Sequence, residues 1–440
     1  MTAARQFRAP PRRTAYIGAR LVDPASGLDV QGGLLTEGKK IIDVGPGLFA
    51  EGPPEDAVHI DCAGLVLAPG LIDTRAHLRE PGAEHQETLF TASRAAAAGG
   101  ITSILCTPDT DPVIDGVAEV EFISRRARET SLVKVYATAA ITVGGQGRQL
   151  SEMGLLAESG VLAFTDANRA VENAGLMFRA LKYARSLDLL LVQHPEHPSL
   201  TDNGTMNAGP LATRLGLPSR PPIAETILVE RDLRLAEAAG ARIHFPILST
   251  QGAVEAVLAA KERGVSVTAG TAPHYFSLTE IEVEGWRTFA KVSPPLRVEA
   301  DRAAIADAVV NGVIDVIASD HSPHHEDSKR QPFEQAAFGM AALETVLPLA
   351  LEFVHSGRMS LLELLRRVTS GPATIFGVPG GRLAAGEPAD LVLLDLDLAW
   401  VLDAKEFRSK SQNAPYTAYP VRGKAIRTVV DGRPVFGGET

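Results

Sequence analysis

Residues 68–85 read APGLIDTRAHLREPGAEH, and the residue types after Asp73 are those of a reacting centre. Arg75, His77 and Arg79 alternate with Thr74, Ala76 and Leu78. Alternation at period two sets the three basic side chains on one face of a strand. A strand ending in His-x-His with a following Arg builds a metal site, and here the first of those positions is Arg75. Further along, acids and histidines again close apolar runs. They are Asp109 and Asp111 after ILCTP, Asp166 in AFTDA, His194 and His197 in LLLVQHPEH, His274 in TAPHY, and Asp320, His321 and His324 in IASDHSPH. Such a set suits metal ligation that activates a water, or proton transfer by a positioned carboxylate.

Each residue also has a plainer reading. Asp320 would serve as a helix N-cap and His194 as a hydrogen-bonded core histidine, but both stand at the ends of apolar runs, which favours a site. Asp166 alone is equally a turn former. His197 and His325 read as loop residues, and His59, His85 and His355 have no supporting pattern. His244 in RIHFPIL sits among apolar neighbours and reads as a buried, satisfied histidine.

The elements that must position these residues are legible as alternation. Strand candidates (the run at 68–77, then ITSILC, VKVYATAA, VLAFTDA, LLLVQHP, RIHFPIL, VSVTAGTAP and DVIASDHS) are separated by helix-like runs such as VENAGLMFRALKYARSL and QGAVEAVLAAKERG. That is the content of an α/β chain folded as a (β/α)8 TIM barrel, whose chemistry sits at the C-terminal ends of its strands. Residues 14–66 and 376–440 hold short strands with Gly and Pro turns and are expected to pair into one small β-sandwich. The barrel is assigned to 67–375, and residues 1–13 to a disordered basic leader without the apolar core of a secretory signal.

Composition bounds the partners. The 440 residues carry a formal net charge of −10, which argues against nucleic acid or an anionic membrane. No apolar run is long enough to span a bilayer. Two cysteines, Cys62 and Cys106, make no disulfide framework, so a reducing cytoplasm is the expected location.

The segments PGLIDTRAHLREPGAEHQET, GGITSILCTPDTDPVID, AFTDANRAVENAGLMFRALKYA, ARIHFPILSTQGAVE, TAPHYFSLT, KVSPPLR, DVIASDHSPH, PFEQAAFGMAALET and GRLAAGEPADLVLLD together resemble the type I dihydroorotases of the amidohydrolase superfamily. The match is collinear over nearly the whole chain. It implies a barrel with a flanking sandwich, one or two zinc ions, and interconversion of carbamoyl-aspartate and dihydroorotate. The metal positions carried over from the resemblance are His77, Asp166, His194 and Asp320, with Arg75 and Ile247 standing where the family has histidines. Each metal thereby loses one ligand, while a catalytic zinc takes three from the protein. Arg75 also keeps its proton and holds a positive charge where the dication would be. An ion pair of Arg75 with Asp166 and Asp320 would take the metal's place.

The resemblance further assigns substrate contacts to Arg79, Asp109, Ser293 and His324. Asp109 replaces an Asn and Ser293 another amide. A carboxylate at 109 repels a carboxylate substrate and pairs more naturally with Arg79. The favoured expectation is therefore a non-catalytic homologue without cofactor. By analogy with inactive dihydroorotase-like chains, it would be a structural or regulatory partner of aspartate transcarbamoylase. The alternative is a working zinc-dependent cyclic amidohydrolase, acting on dihydroorotate or a hydantoin-like substrate. Its general base would be Asp320, with one metal held on His77, Asp166, His194 and Asp320, or with His197 or His274 moving in as a substitute ligand. A homodimer is compatible with either.

Overall fold

The computed structural model describes residues 13–437. Arg13 already belongs to a strand, and the rest of the expected leader lies outside the described residues.

The alternation read from the sequence closes into a barrel. Strands Leu71–Ala76, Ile101–Cys106, Lys134–Ala137, Leu191–Val192, Ile243–Phe245, Val267–Thr271 and Val316–Ile317 run parallel to their neighbours. The expected strand VLAFTDA shrinks to Phe164, which bridges Ala139 on one side and Leu191 on the other. Its extended run stops early because Ala167 turns to φ 57°. Ala76 bridges His321 and closes the ring, and the His77 amide donates to the His321 carbonyl at 2.8 Å.

All six residues of Ile101–Cys106 are buried, as expected for a parallel strand covered on both faces. Ile72, Leu105, Ala163 and Val192 pack with Phe376 and Val378 in a separate apolar cluster. The surrounding helices carry their own start and stop signals. Asn173 caps Ala174–Ser186 by accepting from the Leu176 amide. Ile223–Ala239 ends on Gly240 in the left-handed region at φ 60°.

The two ends of the chain meet in one mixed sheet of eight strands, where Val66–Pro69 pairs antiparallel with Leu391–Leu402. Tyr16, Leu21, Leu34, Leu67, Leu391 and Val429 form a second core there. Together these give a (β/α)8 barrel with a flanking β-sandwich. Between Leu391–Leu402 and Tyr419–Val430 the chain crosses to the barrel as a strap. Ser409 and Lys410 donate to Glu87. The Asn413 side chain accepts from the His324 amide at 3.0 Å and donates to the Ser322 carbonyl at 3.2 Å. Among the described residues no helix is long and apolar enough to cross a membrane, and Cys62 and Cys106 are both free and buried.

Candidate functional site

Arg75, on the first barrel strand, is 2% exposed. Its Nε donates to Asp320 Oδ1 at 2.7 Å, and its Nη2 reaches the Asn168 side-chain oxygen at 2.5 Å and the Ala167 carbonyl at 3.4 Å. The expected pairing of Arg75 with Asp320 is thus present, but the one with Asp166 is not. Asp166 turns the other way and accepts from Thr142, through its amide at 3.0 Å and its hydroxyl at 2.6 Å. Burial raises the Asp166 carboxyl despite those bonds. Thr142 lies 24 residues earlier, so nothing next to Asp166 in the sequence announces the partner.

His77 Nδ1 lies 2.8 Å from Asp109, and Thr107 Oγ1 donates to the same carboxylate at 2.6 Å. Burial works to raise Asp109, but His77 and Arg79 outweigh it and hold the acid well below the usual range. Burial in turn lowers His77, whose Nδ1 faces Asp109 while its Nε2 has no partner among the described residues. Arg79 sits 3.6 Å from Asp109. It also donates to the Pro323 carbonyl at 3.2 Å and the Ser322 hydroxyl at 2.9 Å, with His324 Nε2 at 3.3 Å. Burial and Arg79 bring His324 down to about 3. Arg79, Asp109 and His324 therefore share one corner of the mouth.

Ser293 belongs to the opposite side. It donates to Glu196 Oε2 at 2.6 Å, where His194 Nε2 (3.2 Å) and Arg220 Nη1 (3.0 Å) also converge. Burial pushes Glu196 up, but His194, Arg220 and Arg297 bring it down to about 2. Arg220 stacks over Phe338, 4.3 Å from the ring centroid. Glu196 and Arg220 were not singled out from the sequence. Glu196 stands two residues beyond His194, which is the one local signal for it.

Ile247 is fully buried. His274 has an unpartnered Nε2 that lies 3.8 Å from Asp320 Oδ2, and burial takes it down to about 4. His244 is buried as read but only half satisfied. Nδ1 meets Thr268 Oγ1 at 2.8 Å and Nε2 has no partner among the described residues. His321 points at Glu87, 3.5 Å away, beneath the strap. His197 is partly buried, with Ser199 3.0 Å away, and His325 is exposed. Arg79, Ala167 and Asp320 all hold φ between 52° and 60°, a strained setting for residues other than glycine and one that collects at functional sites. A cavity of about 290 Å³ opens here between Asp109, Thr110, Gly144, Asp166 and Asn168.

The donor set does not fit a zinc ion in this arrangement. Among the described residues no three His, Cys, Asp or Glu side chains converge on one point. Asp320 is paired with a guanidinium, Asp166 with Thr142 and His194 with Glu196.

Sequence models match in two stretches, dihydro-orotase-like over 64–253 and amidohydrolase family over 288–436. The dihydroorotase of Anaplasma phagocytophilum (strain HZ) is 45% identical, covering 97% of this chain and 95% of that one. The dihydroorotase of Syntrophotalea carbinolica (strain DSM 2380 / NBRC 103641 / GraBd1) is 45% identical, over 95% and 97%. Among solved structures, the L-hydantoinase (dihydropyrimidinase) from Arthrobacter aurescens superposes with a TM-score of 0.87 at 25% identity, over 97% of both chains. With the barrel, the sandwich and these likenesses in hand, the chain belongs to the dihydroorotase family of the amidohydrolases.

Proposed function

We propose that this protein is a dihydroorotase-like member of the pyrimidine pathway that does not carry out the zinc-dependent reaction, and that it serves in the cytoplasm as a structural or regulatory partner of aspartate transcarbamoylase. The observation that carries the reading is the buried pair of Arg75 and Asp320 at 2.7 Å. Arginine stays protonated at any physiological pH, so the charge that a dication would supply is already provided by a side chain. A metal would have to displace that ion pair and gather ligands that are otherwise engaged. The partner assignment comes from the family resemblance.

The test is zinc content on protein purified without chelator, a carbamoyl-aspartate cyclisation assay on the same sample, and gel filtration with aspartate transcarbamoylase. Absence of zinc and turnover together with co-elution is the expected result. Stoichiometric zinc with turnover would overturn it.

A second reading is a working cyclic amidohydrolase acting on dihydroorotate or a hydantoin-like ring. Two observations favour it: the 45% identity to dihydroorotases, and the bare Nε2 of His77 behind an Nδ1 held by Asp109. A carboxylate on the far nitrogen is how metal-binding histidines are oriented. Turnover that is lost on chelation and restored by zinc would establish this reading.

A further inference from the structure

Away from the barrel mouth, a cavity of about 170 Å³ opens where the first barrel helix, the start of the strap and the sandwich meet. Its walls are apolar at Leu347, Leu402 and Phe407. Five charged side chains also line it: Glu406 and Arg408 are exposed, Asp403 is half-buried at the rim, and Glu344 and Lys424 face each other without forming an ion pair. Lys424 is half-buried, makes no ion pair among the described residues, and rests its ammonium 4.2 Å from the centroid of the Trp400 ring. Glu344 is half-buried too; its Oε1 accepts from the Arg408 amide at 2.5 Å, and it makes no ion pair among the described residues. Burial pushes its carboxyl up to about 7 even with Arg408 and Lys424 nearby. A carboxylate brought out of water without a counter-charge is costly, and an ammonium over an aromatic face is only partly compensated.

We propose that this cavity is a binding site for a small zwitterion, an α-amino acid with an apolar side chain. The carboxylate would meet Lys424, the ammonium Glu344, and the side chain Leu347 and Phe407. A ligand carrying both charges completes two half-made ion pairs at once. A simple anion would satisfy Lys424 and repel Glu344, and a simple cation would do the reverse. The volume admits a molecule of that size and is below the range of drug-sized pockets. The site is independent of the barrel-mouth chemistry and of whether the protein is an enzyme.

The chain has two tryptophans, and Trp286 is exposed, so the Trp286→Phe protein reports on Trp400 alone. L-Leucine titrated into it is expected to give a saturable change in fluorescence. N-Acetyl-L-leucine, which lacks the ammonium, and L-leucinamide, which lacks the carboxylate, are expected to give none. Glu344→Gln keeps the acceptor for the Arg408 amide, and Lys424→Gln keeps most of the side-chain length. Each is expected to weaken binding by about tenfold or more, the scale of one charge-assisted contact. No saturable signal with L-leucine, or unchanged affinity in both variants, would overturn the proposal.

Discussion

The two sides of the barrel mouth balance their buried charges by opposite means. On the side of the first and last strands a cation, Arg75, is fixed against Asp320. On the far side Ile247 is fully buried hydrocarbon. The histidines of the two sides are held alike, His77 by Asp109 and His194 by Glu196. The difference lies in the charge to be balanced. Asp320 is a buried carboxylate that needs compensation, and Arg75 supplies it. On the Ile247 side Glu196 already has Arg220 at 3.0 Å, so a neutral side chain suffices. Each side thus keeps its charges balanced locally, one by Arg75 and the other by the neighbouring Arg220.

The comparison breaks most visibly if Arg75 is removed. Arg75→Met leaves Asp320 buried without its cation and is expected to cost about 3–5 kcal/mol of stability, read from urea unfolding. Adding Asp320→Asn should recover much of that, because the unpaired charge goes with it. A single variant as stable as the parent would show that the pair contributes nothing. Glu196→Gln on the other side should cost less, about 1.5–3 kcal/mol. Arg220 keeps its stacking on Phe338 and the Ser293 hydroxyl at 2.8 Å.

A pH titration of stability separates the imidazoles from the acids. His244 has its usual value of 6.5 brought down to about 3, first by burial and then by Lys261 and Arg75. Between those values the unfolded chain binds the proton and the folded one refuses it, so stability falls as the pH falls, by about 1.4 kcal/mol per pH unit. Glu196, lowered from 4.5 to about 2, contributes stability that is present above 4.5 and is lost only as the pH falls through that lower window. His244→Leu should therefore lower the slope between pH 6.5 and 3 by about 1.4 kcal/mol per pH unit, leaving the shares of His274 and His324 and the Glu196 window in place. An unchanged slope there would mean that His244 does not resist protonation.

The barrel was legible because its strands are unbroken apolar runs bounded by turn residues, and because helices such as Ala174–Ser186 carry a cap and a periodic face. The residue types of the mouth were legible for the same reason, since a polar residue closing an apolar strand stands out. Their partners were not. Asp166 was expected beside Arg75, but the loop carrying Thr142 reaches it first. His77 and Asp109, separated by 32 positions, meet because adjacent strands place their ends together, and that register is a property of the closed sheet. His244 was read correctly as buried, while its unpartnered nitrogen depends on what faces it across the barrel. Glu196, two positions after His194 and directly after Pro195, was not legible because a lone acid beyond a strand end has no pattern of its own.

The smallest expected effect tests which of Arg75's contacts matters. Asn168 is exposed, and its oxygen is one of three acceptors on the guanidinium. In Asn168→Ala water can take the vacated position, so the loss should be about 0.5–1 kcal/mol, the net value of an ordinary hydrogen bond. In Arg75→Met the same substitution should then have no further effect, because its partner is gone. The difference between the two backgrounds is the coupling energy of Arg75 with Asn168. A coupling as large as that of Arg75 with Asp320 would mean that Arg75 is placed chiefly by its neutral acceptors. The ion pair would then be a consequence of the loop geometry at 166–168 and not the reason Arg75 occupies the position.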